Sequence, residues 1–392
     1  MPLASNQPRC DVCASKVVKN GKTSSGRTRW RCKHCGASST QSREDITRRN
    51  QLMRFVASLL GRSTQAGHGG TGRSFRASTS WCWTVPVPHP DPTGEVYAQL
   101  MLDGTYFNGW CVIIAHTGTH VVDWQFCDRE NQAAYEALLQ RIPAPDMVII
   151  DGHRAALAAI QKLWPETKIQ RCLFHVFHVI RRHQTFNPRL DAGKEILALT
   201  KTLMRVRTLE EATAWISEYT GWEARWDTFL KQRSSTRAGD ARPATVPATR
   251  DWWYTHQMLR KSRGLFRGLL RKHHLFTWLD PDLARTDGTP LDRTTSPLEG
   301  GPNNAIKHLL RDHRGLSPAH ARRAVEWLLD SLTAHPRDPW TLTKPEHYNP
   351  TTRTRRTPSA SEEPIGPAAY DTAFSPEDGN GIQHGWAGRS HP

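Results

Sequence analysis

The chain has 392 residues, more than one simple hydrophobic core usually contains, so its length predicts two or three domains. Lys and Arg number 53 against 37 Asp and Glu, and the resulting formal charge of +16 favours nucleic acid, before an anionic membrane, as the partner. The sequence lacks the long apolar run of a transmembrane helix, and its N-terminal segment lacks the apolar core of a signal peptide. We therefore expect a cytoplasmic protein, without a membrane partner, whose cysteines are reduced or metal-bound.

Residues 1–42 carry two Cys-x2-Cys pairs, Cys10 with Cys13 and Cys32 with Cys35. Each pair offers two thiolates on one tight turn, and two such turns form the tetrahedral Zn²⁺ site of a zinc ribbon. The segment has few apolar residues, so we expect its folding to depend on the metal. A basic module of this kind typically binds DNA, and the predicted contacts are Arg29, Trp30, Arg31 and Lys33. A purely structural or protein-binding role is the alternative.

Residues 43–92 begin with a predicted helix over 44–60, and a second, weaker helix follows over 74–83. A helix, a turn and a helix in this order suggest a possible helix-turn-helix, although the turn region is rich in glycine. The alternating prolines of 86–92 then predict an extended linker into the next domain.

Residues 93–185 predict a mixed sheet in which two short strands end in Asp-Gly. The first strand leads into Asp103-Gly104 and the fourth, 147–150, leads into Asp151-Gly152. Strands over 110–115, 120–124 and 168–171, with helices over 132–140, 154–163 and 172–182, complete the order β-β-β-α-β-α-β-α.

That order is the order of the ribonuclease H-like fold, in which the first and fourth strands end side by side. Asp103 and Asp151 are therefore expected at one edge of the sheet. Since Asp-Gly is also a common turn signal, two ordinary turns are the alternative.

The rest of the chain is predicted to be mostly helical. Residues 186–288 form an all-α insertion with helices over 191–205, 209–220, 222–231 and 252–272 and a flexible break over 234–249. Residues 289–335 return to the core and contain Thr294–Asn304, which also fits a capping box beginning at Ser296. Residues 336–392, rich in Pro, Thr, Arg and Gly, are expected to be disordered.

Four features of this sequence resemble the Mutator-like DDE transposases of bacterial insertion sequences. They are Asp103 in LDGTYF, Asp151 in IIDGHRA, the Cys-x2-His of Cys172 and His175, and the Glu-x4-Asn of Glu299 and Asn304 with basic Lys307 and Arg311 behind it. The zinc ribbon and the segment His313-Arg314-Gly315 are similar to one branch of that group. Two features depart from the family pattern: the possible helix-turn-helix segment is rich in glycine (Gly67, Gly69, Gly70 and Gly72), and Glu299 is followed by two glycines and a proline.

The resemblance implies an α/β chain with a ribonuclease H-like core, and a catalytic triad of Asp103, Asp151 and Glu299. It implies two Mg²⁺ ions, with Asp103 bridging them and Asp151 and Glu299 holding one each, because carboxylates are natural ligands of hard cations. Water cleaves at the element end, and the freed 3′-hydroxyl attacks target DNA. Asn304, Lys307 and Arg311 are implied DNA contacts.

His175 is expected either to contact the scissile phosphate or to position a carboxylate, with a satisfied core histidine as the alternative. Metal ligation by Cys172 and His175 is not expected, because no second pair of ligands lies near them in the sequence. Double-stranded DNA, as element ends and as target, is the expected partner, and a homodimer or higher oligomer is expected on it in the bacterial nucleoid.

Three other functions stay open at this stage. A zinc-ribbon DNA-binding regulator needs no triad, an inactive remnant of an element binds DNA without cutting it, and a related nuclease or resolvase cleaves without joining strands.

Overall fold

A computed structural model describes residues 9–347 except 11, 14, 41–43, 62–70, 108, 284, 286 and 287. The strands are β1 (Val17–Lys22), β2 (Thr28–Cys32), β3 (Ser38–Ser39), β4 (Gln99–Phe107), β5 (Trp110–His116), β6 (Val121–Cys127), β7 (Met147–Ile150), β8 (Lys168–Arg171), β9 (Arg233–Ser235) and β10 (Trp252–Tyr254). The helices are α1 (Glu44–Leu60), α2 (Gly72–Thr79), α3 (Gln132–Leu139), α4 (Arg154–Leu163), α5 (Leu173–Gln184), α6 (Asp191–Leu203), α7 (Leu209–Leu230), α8 (Gln257–Arg271), α9 (Ser296–Leu298), α10 (Asn304–Asp312) and α11 (Pro318–Ser331).

The chain forms two compact units. One contains the described residues up to Pro88 together with those from Ala305 onward, and the other contains those of His89–Asn304. The boundaries between these two units differ from the boundaries of the six predicted segments, which stay predictions. None of the described helices is both long enough and apolar enough to cross a bilayer.

The first unit combines a small antiparallel sheet, ordered β1-β2-β3, with helices. Leu52, Phe55 and Leu59 on α1 are buried, and α1 contacts both α2 and α11. The second predicted helix of this region is α2, which ends at Thr79 and continues as a 3₁₀ turn over Ser80–Thr84. Because 62–70 lie outside the described residues, the helix-turn-helix stays a prediction.

The beginning of the expected disordered tail is folded. Pro339–Leu342 and Pro345–His347 form 3₁₀ helices, and the Asp338 side chain accepts a hydrogen bond from the backbone N–H of Trp340 at 3.0 Å. Asp338 also forms an ion pair with Arg49. Proline at the start of a turn and an aspartate cap stabilise this segment despite its polar composition. Residues from 348 onward lie outside the described part of the chain.

The second unit is built on a mixed five-stranded sheet in the order β6-β5-β4-β7-β8. The pairs β6–β5 and β5–β4 are antiparallel, whereas β4–β7 and β7–β8 are parallel. One face packs on α3 and α4 through a core that includes Leu100, Ile113, Leu138, Val148 and Ile160. Met101, Ile114 and Ile149, whose side chains point to the opposite face, are also fully buried, as expected for a sheet covered on both sides.

The two Asp-Gly pairs differ in conformation. β7 ends at Ile150, and Gly152 has φ +97°, so this pair forms a turn. The expectation that the first strand ends at Asp103 is wrong, since β4 continues to Phe107. Asp103 pairs with Ile114 and Gly104 with Ile113, so the antiparallel ladder carries both residues through in extended conformation.

The inserted region contains fewer separate helices than expected. α7 is one helix where the sequence predicts two, because it is long, begins with a capping box of Thr208 and Glu211, and accommodates Gly221 without a break. The predicted helix over 252–272 starts only at Gln257. Residues Trp252–Tyr254 instead pair with β9, and the guanidinium of Arg233 lies 4.1 Å from the Trp252 ring centroid.

Candidate functional site

Asp103 lies on β4, and Asp151 lies directly after the end of the adjacent parallel strand β7. The register pairs Met101 with Ile149, so each aspartate follows its member of the last pair by two residues. The two carboxylates are close enough for the charge of Asp151 to raise the pKa of Asp103. The Asp151 carboxylate accepts a hydrogen bond at 2.8 Å from the backbone N–H of His153, which immediately precedes α4. The structure thus brings the two predicted aspartates together.

Glu299 comes from a distant part of the sequence. It lies directly after α9, in a π-helical turn over Glu299–Asn303 that is interrupted at Gly301. The Thr295 hydroxyl lies 2.5 Å from Oε1 of Glu299. The capping box predicted for Ser296 is absent, because Thr295 occupies the cap position and its hydroxyl contacts the Glu299 carboxylate rather than the backbone.

Cys172 connects α5 to this segment. Its buried Sγ accepts hydrogen bonds from the backbone N–H of Thr295 at 3.3 Å and from the Thr295 hydroxyl at 3.2 Å. The backbone N–H of Leu173 donates to the carbonyl of Arg293 at 3.0 Å. Cys172 therefore anchors the turn that presents Glu299.

His175 lies one helical turn beyond Cys172, with Nδ1 3.8 Å from Oε1 of Glu299 and 33% of its side chain exposed. The ligand atoms of Cys172, His175 and Glu299 lie within 4.8 Å of one another, so the fold supplies the third metal-binding group that the sequence did not place near this pair. The donors that converge on the Cys172 sulfur nevertheless favour a positioning role for it over metal ligation.

The pKa values of Cys172 and His175 shift in opposite directions. Burial raises the pKa of the Cys172 thiol, but its interactions with His175 and the hydrogen bonds from Thr295 outweigh this and leave it lowered. Burial lowers the pKa of His175, but Cys172, Asp151 and Asp103 together raise it to about 10. With its pKa near 10, His175 places a positive charge among the carboxylates at neutral pH.

Asn303 is a site residue that the sequence analysis missed. Its side-chain amide donates to Oδ2 of Asp103 at 2.7 Å, and the residue is 3% exposed. Its Oδ1 is buried and has no hydrogen-bond partner among the described residues. The neighbouring Asn304, which the sequence analysis selected, is exposed, and its predicted role in DNA binding stays a prediction.

Glu130 is a second missed residue, and it is held beside Gly104. The Tyr135 hydroxyl donates to Oε2 of Glu130, and the Tyr106 hydroxyl accepts from the backbone N–H of Glu130 at 3.0 Å. A Cβ on Gly104 would lie 2.3 Å from Oε1 of Glu130, so the carboxylate occupies space that only glycine leaves open. The signal in the sequence was Gly104 itself, which the sequence analysis interpreted as part of a turn.

The carboxylates of the site interact unfavourably with one another. Burial raises the pKa of Asp103 well above its ordinary value; His175 opposes the shift, and Asp151, Glu130 and Glu299 increase it. Burial and the charge of Asp151 raise the pKa of Glu130 to about 8. Such mutual repulsion in a partly buried site is relieved when a cation binds.

The four N-terminal cysteines form a separate cluster. Sγ of Cys10 lies 3.3 Å from Sγ of Cys35, and Sγ of Cys13 lies 3.5 Å from Sγ of Cys32. All four sulfur atoms lie within 4.8 Å of one another, so together they can hold a metal ion. Backbone hydrogen bonds from Cys10 to Ser15 and from Cys32 to Ala37 form the two supporting turns.

The basic residues predicted to bind DNA are surface residues. Arg29, Arg31 and Lys33 are exposed, while Trp30 is half-buried with the Lys19 ammonium 6.0 Å from its ring centroid. Lys307 and Arg311 are exposed on α10.

Comparison with known proteins agrees with the sequence resemblance. Residues 100–179, which include Asp103, Glu130, Asp151 and His175, match the family model described as the MULE transposase domain. Over 158 residues the chain is 27% identical to the transposase for insertion sequence element IS905 of Lactococcus lactis subsp. lactis (strain IL1403). That alignment covers 36% of this chain and 39% of the relative's length. The resemblance to Mutator-like transposases of insertion sequences is thereby confirmed.

The contact between Gly104 and Glu130 predicts a steric effect on stability. In Gly104→Ala the new methyl group must displace the Glu130 carboxylate from Tyr135, at a cost of about 1–3 kcal/mol in the free energy of unfolding. Thermal unfolding of single and double variants measures it, and Glu130→Ala should remove most of the additional cost of Gly104→Ala. Gly221→Ala is the control, because nothing lies within 4 Å of its new Cβ and alanine favours a helix. A Gly104→Ala protein as stable as the wild type contradicts this interpretation.

Proposed function

We propose that this chain is a DNA transposase, which cleaves DNA at the ends of an insertion sequence and transfers the freed strand into target DNA. The proposal depends chiefly on one observation, the convergence of Asp103, Asp151 and Glu299 from β4, the end of β7 and the turn after α9. Two of these carboxylates lie within the segment that matches a transposase domain model. We assign the three residues as a DDE triad.

The sheet supports a ribonuclease H-like core for the second unit. Three antiparallel strands are followed by two that run parallel to the first, with α3 and α4 in the connections to β7 and β8 and α5 after β8, in the expected order. Parallel β4 and β7 deliver Asp103 and Asp151 together, and the helices of 191–271 separate them in sequence from Glu299.

The residues of the site fit a pair of Mg²⁺ ions, the metal expected of this class of enzyme. Their candidate ligands are carboxylate oxygens. The buried Oδ1 of Asn303 beside Asp103 has no hydrogen-bond donor in the described part of the chain and so suits a hard cation or its bound water. We propose that Asp103, Asp151 and Glu299 hold the ions and that Glu130 is a fourth carboxylate of the same site. When bound, the ions supply activation of the attacking oxygen and stabilisation of the leaving oxygen.

The protein's own residues position this chemistry. Asn303 restrains the Asp103 carboxylate, Thr295 and Cys172 restrain the Glu299 turn, and Gly104 allows Glu130 to approach the strand. His175 contributes a positive charge at the partly exposed side of the site, where it can contact a DNA phosphate or position Glu299.

The cysteine cluster is assigned to Zn²⁺. The sulfur–sulfur separations of 3.3 and 3.5 Å are close to the edge, about 3.8 Å, of a tetrahedron with Zn–S bonds of about 2.3 Å. The resulting ribbon would present Arg29, Arg31 and Lys33 to double-stranded DNA. Lys307 and Arg311 are proposed as further DNA contacts, and joining two element ends requires a homodimer or higher oligomer on the DNA in the cytoplasm.

The first test is strand transfer in vitro with purified protein, labelled element ends, a supercoiled target and Mg²⁺. Asp103→Asn keeps the shape of the side chain and removes its charge, so joined product should fall by roughly 10³-fold, in line with a loss of several kcal/mol of charge stabilisation. Asp191→Asn, an exposed position at the start of α6, is the matched control and should retain wild-type joining. Binding to element ends without cleavage by either wild type or variant would contradict an active transposase and favour a DNA-binding remnant.

The second test concerns Glu130 and uses cation binding rather than turnover. In Glu130→Gln the amide can still pair with Tyr135, so the fold should persist while Mn²⁺ affinity, measured by calorimetry, falls about 10- to 100-fold. Glu136→Gln, which removes the carboxylate that pairs with Lys162 on the surface, should bind Mn²⁺ as the wild type does. Equal affinity of Glu130→Gln and wild type would exclude Glu130 from the cation site.

The third test removes one thiolate from the cluster. Cys32→Ser should reduce bound zinc from about one ion per chain to near zero and unfold the 15–40 sheet, because a small metal module depends on its ion for folding. Zinc content and amide hydrogen exchange report the two effects, and exchange in β4–β8 should not change. Cys127→Ser, at a half-buried cysteine outside the cluster, is the control. Retention of zinc in Cys32→Ser would disprove the assignment.

A further inference from the structure

A cavity of about 310 Å³ lies next to the candidate site, against helix α8 of the inserted region. It is bounded by the turn at Gly152, the end of β8 and one face of α8, all within the second unit. Gly152 directly follows Asp151, so the cavity begins one residue from a carboxylate of the proposed triad.

The floor of the cavity is formed by the buried, positively charged side chain of Arg171. Arg171, the last residue of β8, is 2% exposed, and its Nη1 lies 0.6 Å from the position that a Cβ on Gly152 would occupy. Its backbone N–H donates to the carbonyl of His274 at 2.7 Å, which ties β8 to the segment after α8. The guanidinium is therefore held across Gly152, in space that any other residue at 152 would fill.

The remaining charged groups of the lining are also basic. Lys261, Arg271 and Lys272 join Arg171, and no Asp or Glu is among the residues that line the cavity. Burial, with smaller contributions from the positive charges of Lys272 and Arg171, lowers the pKa of His274 to about 4, so this histidine is neutral. A cavity surrounded by cations on this scale suits an anion.

Two glycines of α8 keep the cavity open. Lys261, Gly264 and Gly268 follow one another at helical spacing and so share the face of α8 that lines it. A Cβ built on Gly264 or Gly268 would have nothing within 4 Å, so a larger side chain at either position projects into open space.

We propose that this cavity binds a backbone phosphate of the DNA strand engaged by the neighbouring carboxylates, an inference that rests on the proposed transposase function. Arg171 forms the fixed base of the phosphate site, Lys261 reaches the phosphate from α8, and the glycines admit the strand. Because Arg171 and Lys261 would contact a backbone phosphate rather than a base edge, the contact is independent of sequence.

The test combines protection of a lysine with the salt dependence of binding, in the full chain and without added Mg²⁺. Acetylation of Lys261, followed by mass spectrometry, should slow several-fold on addition of a short oligodeoxythymidylate, while Lys231, directly after α7, reacts unchanged. A methylphosphonate oligomer of the same length, which lacks backbone charge, should not protect Lys261. Inorganic phosphate tests the alternative source of the same chemistry, and protection by phosphate but not by DNA would overturn the proposal.

Substitutions distinguish the contribution of the lysine charge to DNA binding from the contribution of the open cavity. Lys261→Gln should lower oligonucleotide affinity by about tenfold and reduce the slope of log K against log salt by nearly one unit, whereas Lys231→Gln should change neither. Gly268→Leu keeps every charge but fills the cavity, and it should abolish protection of Lys261. Gly221→Leu, an equivalent change on α7, should preserve it.

The results of these experiments separate a failure of the proposed phosphate site from a failure of the proposed transposase function. Equal labelling of Lys261 with and without DNA, or full protection in Gly268→Leu, overturns the phosphate site and leaves strand transfer by the wild type unaffected. If Asp103→Asn joins DNA strands as well as the wild type does, the proposed transposase function is itself wrong.

Discussion

The parallel pairing of β4 with β7 is the constraint on which the rest of the candidate site depends. Its last pair joins Met101 to Ile149 on strands about 4.8 Å apart, and Asp103 and Asp151 each follow that pair by two residues. Because β5 continues to pair with β4 beyond Asp103, that aspartate is held on a rigid strand instead of a mobile turn. A change of one residue in the β4–β7 register would turn one carboxylate to the opposite face of the sheet.

The third carboxylate depends on a different type of interaction. Glu299 is not part of the sheet, and its position is set by the hydrogen bonds that join Cys172 to Thr295 and Thr295 to Glu299. The interruption of helical geometry at Gly301 then sets Asn303 at hydrogen-bond distance from Asp103. One short segment, 295–303, thus supplies both a carboxylate and the amide that orients another carboxylate.

Electrostatic repulsion links these parts. Burial and the charges of Asp151, Glu130 and Glu299 raise the pKa of Asp103, and burial and the charge of Asp151 raise the pKa of Glu130, whereas the positive charge of His175 opposes the shift at Asp103. A fold that holds such a cluster together carries a destabilising term that hard cations relieve. The basic cavity behind Gly152 has the opposite charge, so the two features would suit different portions of one phosphodiester backbone.

The sequence by itself determined the features that depend on local spacing. Two Cys-x2-Cys pairs specify a metal-binding cluster, and apolar runs specify four of the five strands of the sheet, β8 (KIQR) being the exception. Two aspartates follow such runs on strands that prove to be parallel neighbours. Helices of the first half of the core were predicted within a few residues, because their apolar periodicity agrees with the faces that they bury.

Only the tertiary structure decided the features that depend on contacts between distant residues. The sequence could not show that Asn303 rather than Asn304 reaches Asp103, that Glu130 occupies the space beside Gly104, or that Arg171 lies across Gly152. The same Asp-Gly pair is extended in β4 and turned after β7, because an antiparallel partner on β5 continues past Asp103 whereas β7 has no further pairing beyond Ile150. The free energy gained from the hydrogen bonds and burial that a neighbouring strand supplies exceeds the local preference of Asp-Gly for a turn. The local sequence does not show which strand that neighbour is.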